Sequence, residues 1–313
     1  MNEIIGYLRN YIQSVNRTVF LFTTLFIAIA ITCNYTLGVN AAIISIHSWT
    51  LRTAGFFLLF AFIFSAAWLL QFISTGKNVT SVSSVQSVAF FFVLLLVAPV
   101  IFAVKVTFDQ AAMAITHSLQ APWDQYWNKV LAWPLKFLLV LILVGAIWKW
   151  GRFPQPLAGV QFSGFNPQPY FLLLLCMVPL IAFAATRNDF LHTYPKVQRI
   201  DFINQYVTHP YPWKLLYELS YGIDFVTIEF FFRGFLILAF ARFAGKDTIL
   251  PVAAFYCSIH FGKPLFECIT SYAGGIILGA IVYNTRSIWG GLIVHLGIAW
   301  LMELAGYLGH LYK

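Results

Sequence analysis

Residues 228–235 read IEFFFRGF and lie in the middle of an apolar run that covers residues 225–240. Glu229 and Arg233 therefore put a carboxylate and a guanidinium into a segment that is apolar enough for a membrane. Each group costs several kcal/mol at membrane depth unless it is paired or hydrated. Because positions four apart share one face of a helix, the two side chains can form an ion pair. Their presence needs a structural or a functional explanation.

The composition indicates that the whole chain lies in a membrane. Of its 313 residues, 60% are hydrophobic, only 10% are charged and 32 are Phe, which exceeds what a soluble core requires. Runs of about 17 to 25 apolar residues can cross a bilayer as helices. We predict an all-α polytopic membrane protein with eight or nine transmembrane helices. The predicted spans cover residues 19–39, 55–73, 85–106, 130–148, 170–185, 213–244, 249–261, 266–283 and 288–308.

The charge balance favours a lipid partner. The formal net charge is +8, which in a membrane protein favours attraction to anionic lipid headgroups. The chain has no basic cluster with interleaved aromatic residues of the kind that binds nucleic acid, so a nucleic-acid partner is not expected. The N-terminal apolar run follows Arg9 and Arg17 and is interpreted as a retained first helix rather than a signal peptide.

Polar residues inside the predicted spans are concentrated in the C-terminal third. They are Glu218, Asp224, Glu229, Arg233, His260, Glu267, His295 and Glu303. On a helix Asp224 points toward the side of Ile228 and well away from Glu229. His295 lies among glycines, which let a neighbouring helix approach closely. Two histidines and a Glu/Arg pair on three neighbouring helices predict one shared polar site.

These residue types can hydrolyse a peptide bond without a covalent intermediate. A carboxylate and an imidazole can polarise a water molecule, and a second imidazole or a guanidinium can stabilise the oxyanion. Ser258 beside His260 lacks the G-x-S-x-G elbow of a nucleophile. Two histidines with Glu229 and Glu303 are conceivable zinc ligands, but no H-E-x-x-H spacing is present, so we expect no cofactor and keep zinc as an alternative. A purely structural ion pair also stays open.

Three short motifs follow one another in a characteristic order. They are E-x-x-x-R-G-F beginning at Glu229, Y-x-x-x-H ending at His260, and His295 in the last Gly-rich span. This order resembles the CPBP family of intramembrane endopeptidases, the CAAX protease and bacteriocin-processing group. The family motifs run E-E-x-x-x-R, F-x-x-x-H and H-x-x-x-N or a variant. The similarity extends over about residues 170–310.

The resemblance implies a set of catalytic roles. Glu229 matches the second Glu of the first motif and Arg233 matches its Arg. His260 and His295 match the histidines of the second and third motifs. In the family the acid and the second-motif His activate water, and the third-motif His helps to hold the oxyanion.

Two positions depart from the family pattern. Ile228 stands where the family has the first Glu, which is usually assigned as the base, and Ala299 stands at the Asn-type position. Three interpretations stay open. Glu229 serves as the base, or Asp224, one turn before Ile228, supplies the missing carboxylate, or the chain is an inactive scaffold or binding protein.

The resemblance also implies an organisation and a partner. Residues 1–130 are interpreted as N-terminal transmembrane helices outside the resemblance, and residues 131–313 as a CPBP-like helical core with its motifs in 213–310. The expected partner is a membrane-associated peptide or protein substrate in the bilayer. A prenylated peptide, a bacteriocin leader and another membrane peptide remain alternatives. The expected location is an integral, multi-pass one, in the plasma membrane of a prokaryote.

Overall fold

The computed structural model describes residues 2–76, 85–161 and 165–312. Every regular element in these residues is helical. The α-helices are α1 (Asn2–Ser14), α2 (Arg17–Leu37), α3 (Val39–Ile44), α4 (Trp49–Thr75), α5 (Val85–Thr107), α6 (Gln110–Thr116), α7 (Trp123–Trp150), α8 (Gln168–Ala184), α9 (Asn188–Thr193), α10 (Tyr211–Ile228), α11 (Leu238–Ala244), α12 (Ile249–Ser258), α13 (Leu265–Thr285) and α14 (Trp289–Leu311). Short 3₁₀ segments cover Leu157–Gly159, Lys196–Gln205 and Gly245–Thr248.

The length and composition of these helices establish an all-α, multi-pass membrane protein. Among the described residues six helices are long and apolar enough to cross a bilayer. The predicted count of eight or nine is therefore not confirmed. The predicted span 249–261 yields only the 10 residues of α12, or about 15 Å, half the thickness of a bilayer core. The predicted span 213–244 is divided between α10, a π-helix and α11.

Aromatic side chains join the N-terminal helices to the C-terminal ones. Phe64 of α4 packs on Phe255 of α12 with ring centroids 5.1 Å apart. Phe102 of α5 packs on Phe232 at the same centroid distance of 5.1 Å. Such tilted and edge-to-face pairs add stabilisation beyond the burial of their area. The high Phe content of the chain therefore forms a common core for its two halves.

Helix α7 crosses the boundary that the sequence predicted between residues 130 and 131. It runs as one helix from Trp123 to Trp150 and packs along α10. The residues on either side of the boundary thus belong to one element. The boundary therefore falls inside one helix, and the division into an N-terminal region and a helical core stays a prediction.

The residues of the first motif form a π-helix, Glu229–Ile237, between α10 and α11. All of its side chains are buried. Gly234 lies so close to the 3₁₀ turn Leu157–Gly159 that an added Cβ would collide with the carbonyl oxygen of Ala158. π-Helical turns are rare and are frequent at functional sites. Dense packing on this segment fixes the positions of its charged side chains.

Candidate active site

A cavity of about 370 Å³ lies among the C-terminal helices, with α5 and α7 contributing to its wall. Arg233, His260 and His295 line it, so the structure brings these three predicted residues together. Asp224 and Ile228 line the same cavity. The carboxylate of Glu229 does not line the cavity, because it is fully buried behind the wall. Of the adjacent residues Ile228 and Glu229, it is the apolar Ile228 that faces the cavity.

Glu229 is fully buried. Its Oε1 lies 2.9 Å from Nδ1 of His295 and 3.6 Å from Nε of Arg233. Gly291 of α14 permits this approach, since an added Cβ would collide with Oε2 of Glu229. A carboxylate only accepts hydrogen bonds, so Nδ1 of His295 carries the proton. Glu229 therefore orients His295 and balances the charge of Arg233.

A hydrogen-bond chain continues from His295 to Tyr256. Nε2 of His295 lies 3.1 Å from the Tyr256 hydroxyl, and in the neutral ring this nitrogen accepts the hydroxyl proton. The guanidinium of Arg233 lies over the Tyr256 ring, 3.8 Å from its centroid, in a cation–π contact. Nη1 and Nη2 of Arg233 have no hydrogen-bond partner among the described residues. Both nitrogens are buried, and they belong to a side chain that lines the cavity.

His260 lies just after the end of α12 and is held by the preceding turn. Its Nδ1 is 3.0 Å from the carbonyl oxygen of Tyr256. Because a carbonyl only accepts, Nδ1 carries the proton and Nε2 keeps its lone pair. The side chain lines the cavity. His260 is therefore a base that faces the space shared with Arg233 and His295.

Asp224 is already paired. Its Oδ1 lies 2.6 Å from Nζ of Lys105, which α5 contributes and which is only 5% exposed. Sequence reasoning missed this partner. The available signal was that Lys105 is the single charged residue in the apolar run 85–106. The hypothesis that Asp224 replaces the missing base therefore requires it to act while bound to an ammonium group.

We expect Lys105→Met to destabilise the protein by about 2 to 3 kcal/mol, somewhat less than a fully buried pair because Asp224 keeps partial exposure. The double variant Lys105→Met/Asp224→Asn should recover most of the lost stability, since it leaves no buried charge without a partner. Reversible unfolding in mixed detergent micelles measures both. A double variant as unstable as the single one would contradict the assignment of the pair.

Of the three remaining acidic residues of the sequence list, Glu303 and Glu267 have structural partners, whereas both carboxylate oxygens of Glu218 are buried without a hydrogen-bond partner among the described residues. Glu303 accepts hydrogen bonds from the backbone N–H groups of Lys196 and Val197, at 2.9 and 3.2 Å. Glu267 pairs with Lys263 at 3.1 Å. In the described ranges no group of three or more His, Cys, Asp or Glu residues is arranged to hold a metal ion. The zinc alternative thus gains no ligand set from this part of the chain.

Residues 214–301 match the family model described as Rce1-like, type II CAAX prenyl endopeptidase Rce1-like. This segment is therefore similar to the CAAX protease family. The resemblance to the CPBP proteases is therefore confirmed, and all three motifs lie within the matched segment. Comparison with curated proteins and with solved structures gave no match. The chain is an integral, multi-pass membrane protein with a protease-like segment, and its location in a prokaryotic plasma membrane stays a prediction.

Proposed function

We propose that the protein is an intramembrane endopeptidase that hydrolyses a peptide bond of a membrane-associated substrate with a water molecule. One observation carries the proposal. His260 and His295 line the same cavity, and each ring is fixed through Nδ1 by an acceptor. The family is one of proteases, which supports the same chemistry.

In the proposed reaction His260 is the general base. Its Nε2 takes a proton from water as the water oxygen attacks the carbonyl carbon of the substrate. The carbonyl electron pair moves to the oxygen, and the donors of Arg233 stabilise the resulting oxyanion. When the carbon–nitrogen bond breaks, the imidazolium of His260 returns its proton to the leaving nitrogen. One water is consumed, and a carboxylic acid and an amine are released.

Glu229 and His295 act as positioning residues in this proposal. Glu229 fixes the ring of His295, and His295 holds the hydroxyl of Tyr256, whose ring lies under the guanidinium of Arg233. The sequence interpretation had Glu229 and His260 activating water together and His295 helping to hold the oxyanion. We assign these tasks to His260 and Arg233 because Glu229 is buried away from the cavity.

A second candidate function is that of a binding protein without peptidase activity. The observation that favours it is the position of Ile228 on the cavity wall, where the family carries its usual base. Asp224, the reserve base of the sequence interpretation, lines the same cavity and is paired with Lys105. The two candidates differ in whether the wild-type protein cleaves any peptide.

We expect Ile228→Glu to raise turnover about tenfold or more, because it places a carboxylate on the wall of the cavity that His260 also lines and restores the paired acids of the family motif. Ile228→Gln is the matched control, since it has a similar shape and no basicity. Purified protein in lipid nanodiscs is incubated with synthetic lipid-anchored peptides, and the products are identified by mass spectrometry.

Three outcomes separate the candidates. Cleavage by the wild type that survives dialysis against a chelator supports the proposed metal-free peptidase. Cleavage that is lost on dialysis and restored by zinc supports the zinc alternative. If the wild type cleaves no peptide and the Ile228→Glu variant does, the protein is a binding protein that retains the remaining residues of a peptidase site.

A further inference from the structure

The segment between α8 and α10 brings three cationic side chains to the cavity. Arg187, Lys196 and Arg199 all line it, and within the described residues none of them forms an ion pair. The other two lysines of the wall are paired with carboxylates. Arg187 and Arg199 are exposed, as is Asp189, whose carboxylate accepts from the backbone N–H of Leu265, so the cavity meets the protein surface at a side with more cations than anions.

Lys196 differs from the two arginines because it is buried, with only 7% of its surface exposed. Its backbone is held firmly, since its N–H donates to Glu303 and its carbonyl accepts from Tyr217 at 3.2 Å. Its Nζ lies 4.8 Å from the centroid of the Tyr194 ring. A buried ammonium that has a ring and no carboxylate beside it is poorly compensated. An anion entering the cavity would supply that compensation.

The electrostatic surroundings agree with this geometry. Burial lowers the pKa of Lys196 to about 7, and repulsion by Lys263 and Arg199 contributes, while Glu267 and Glu303 oppose the shift. Without a bound anion, the ammonium of Lys196 therefore holds its proton weakly at neutral pH. A bound anion stabilises the ammonium form and raises this pKa, so binding of the anion is coupled to uptake of a proton.

We propose that Lys196 anchors an anion subsite, which binds a carboxylate or phosphate group of the molecule that fills the cavity. A single ammonium acts as a point charge and accepts either group. The exposed Arg187 and Arg199 attract the anion to the opening. The group is the free C-terminal carboxylate of a peptide or the phosphate of a lipid. The subsite does not depend on hydrolysis and goes beyond the proposed peptidase function.

Binding to the purified full-length protein in uncharged micelles tests this subsite with two matched probe pairs. One pair is an acetylated Ala/Leu tetrapeptide with a free C-terminus and its C-terminal amide. The other is a short-chain phosphatidic acid and the corresponding diacylglycerol. We expect the charged member of one pair to bind roughly 10- to 100-fold more tightly than its uncharged twin. Preference in the peptide pair identifies a carboxylate ligand, and preference in the lipid pair identifies a phosphate ligand.

Variants test whether the preference for the charged probe depends on the side chain of Lys196. Lys196→Met should abolish it, and Lys214→Met should retain it, because Lys214 is paired with Asp201 and lies off the cavity wall. Lys196→Arg should retain the preference at about pH 9, where the wild type loses it, since only the lysine gives up its proton in that range.

Two results would overturn the subsite. One is equal binding of the charged and uncharged members of both pairs by the wild type, which requires no variant to fold. The other is a Lys196→Met variant that weakens both members of a pair equally, because that result indicates a structural role. The binding assay needs no turnover. A protein that binds the anion through Lys196 and cleaves nothing would reject the peptidase proposal and leave the subsite intact.

Discussion

His260→Ala is expected to lower peptide cleavage roughly 10² to 10⁴-fold, the contribution that a positioned general base makes to a proton-transfer step. The ring is fixed by the carbonyl of Tyr256 and faces the cavity with Nε2 unprotonated. His295 also lines the cavity, but its Nε2 already accepts from the hydroxyl of Tyr256. Turnover of the lipid-anchored peptides in nanodiscs, followed by mass spectrometry, measures the loss.

His117→Ala is the matched control. His117 also bonds through Nδ1 to a backbone carbonyl one turn earlier, that of Ala114 at 2.7 Å, but it is exposed and lies off the cavity wall. Its loss should leave turnover unchanged. Retention of more than about a tenth of wild-type turnover by folded His260→Ala would remove His260 as the base.

The sequence predicted the features that depend on local spacing. Glu229 and Arg233 are four positions apart, and such residues meet on a helix regardless of the rest of the fold. The structure places their charged groups 3.6 Å apart. Gly291 lies in the Gly-rich stretch that was predicted to allow close helix approach, and it does accommodate the carboxylate of Glu229. Spacing and small side chains were sufficient for these contacts.

Spacing was insufficient to identify partners from distant segments. Lys105 meets Asp224 across 119 positions of sequence, and no periodicity within α10 points to α5. The orientation of Glu229 toward His295 likewise depends on how α14 packs beside the π-helix, whose i→i+5 geometry was not anticipated. The sequence therefore named the charged groups, while tertiary packing decided which of them face the cavity.

The N-terminal half contributes to the site although it lies outside the matched family segment. Lys105 sits on the cavity wall, and the Phe102 ring one turn earlier packs on Phe231 and Phe232 of the π-helix. A change in α5 therefore acts directly on the segment that carries Glu229 and Arg233. The N-terminal helices are part of the site's supporting structure.

Arg233→Ala is expected to destabilise the protein by about 3 kcal/mol, the lower end of the cost of breaking a buried ion pair. The cost stays at that end because His295 keeps its hydrogen bond to Glu229. Adding Glu229→Gln should restore most of the stability, since the double variant buries no unpaired charge. Unfolding in mixed micelles measures both variants, and a double variant no more stable than Arg233→Ala would contradict the pairing.

Arg233→Lys distinguishes charge balance from catalysis. It keeps the positive charge beside Glu229, so the variant should fold with nearly the wild-type stability. An ammonium lacks the planar donors that lie over the Tyr256 ring and cannot offer two N–H groups to one oxyanion. We therefore expect turnover to fall roughly 10²-fold, as it does when one oxyanion donor is removed. Near-normal turnover in a stable Arg233→Lys variant would assign Arg233 to charge balance alone, and the oxyanion would then need another donor.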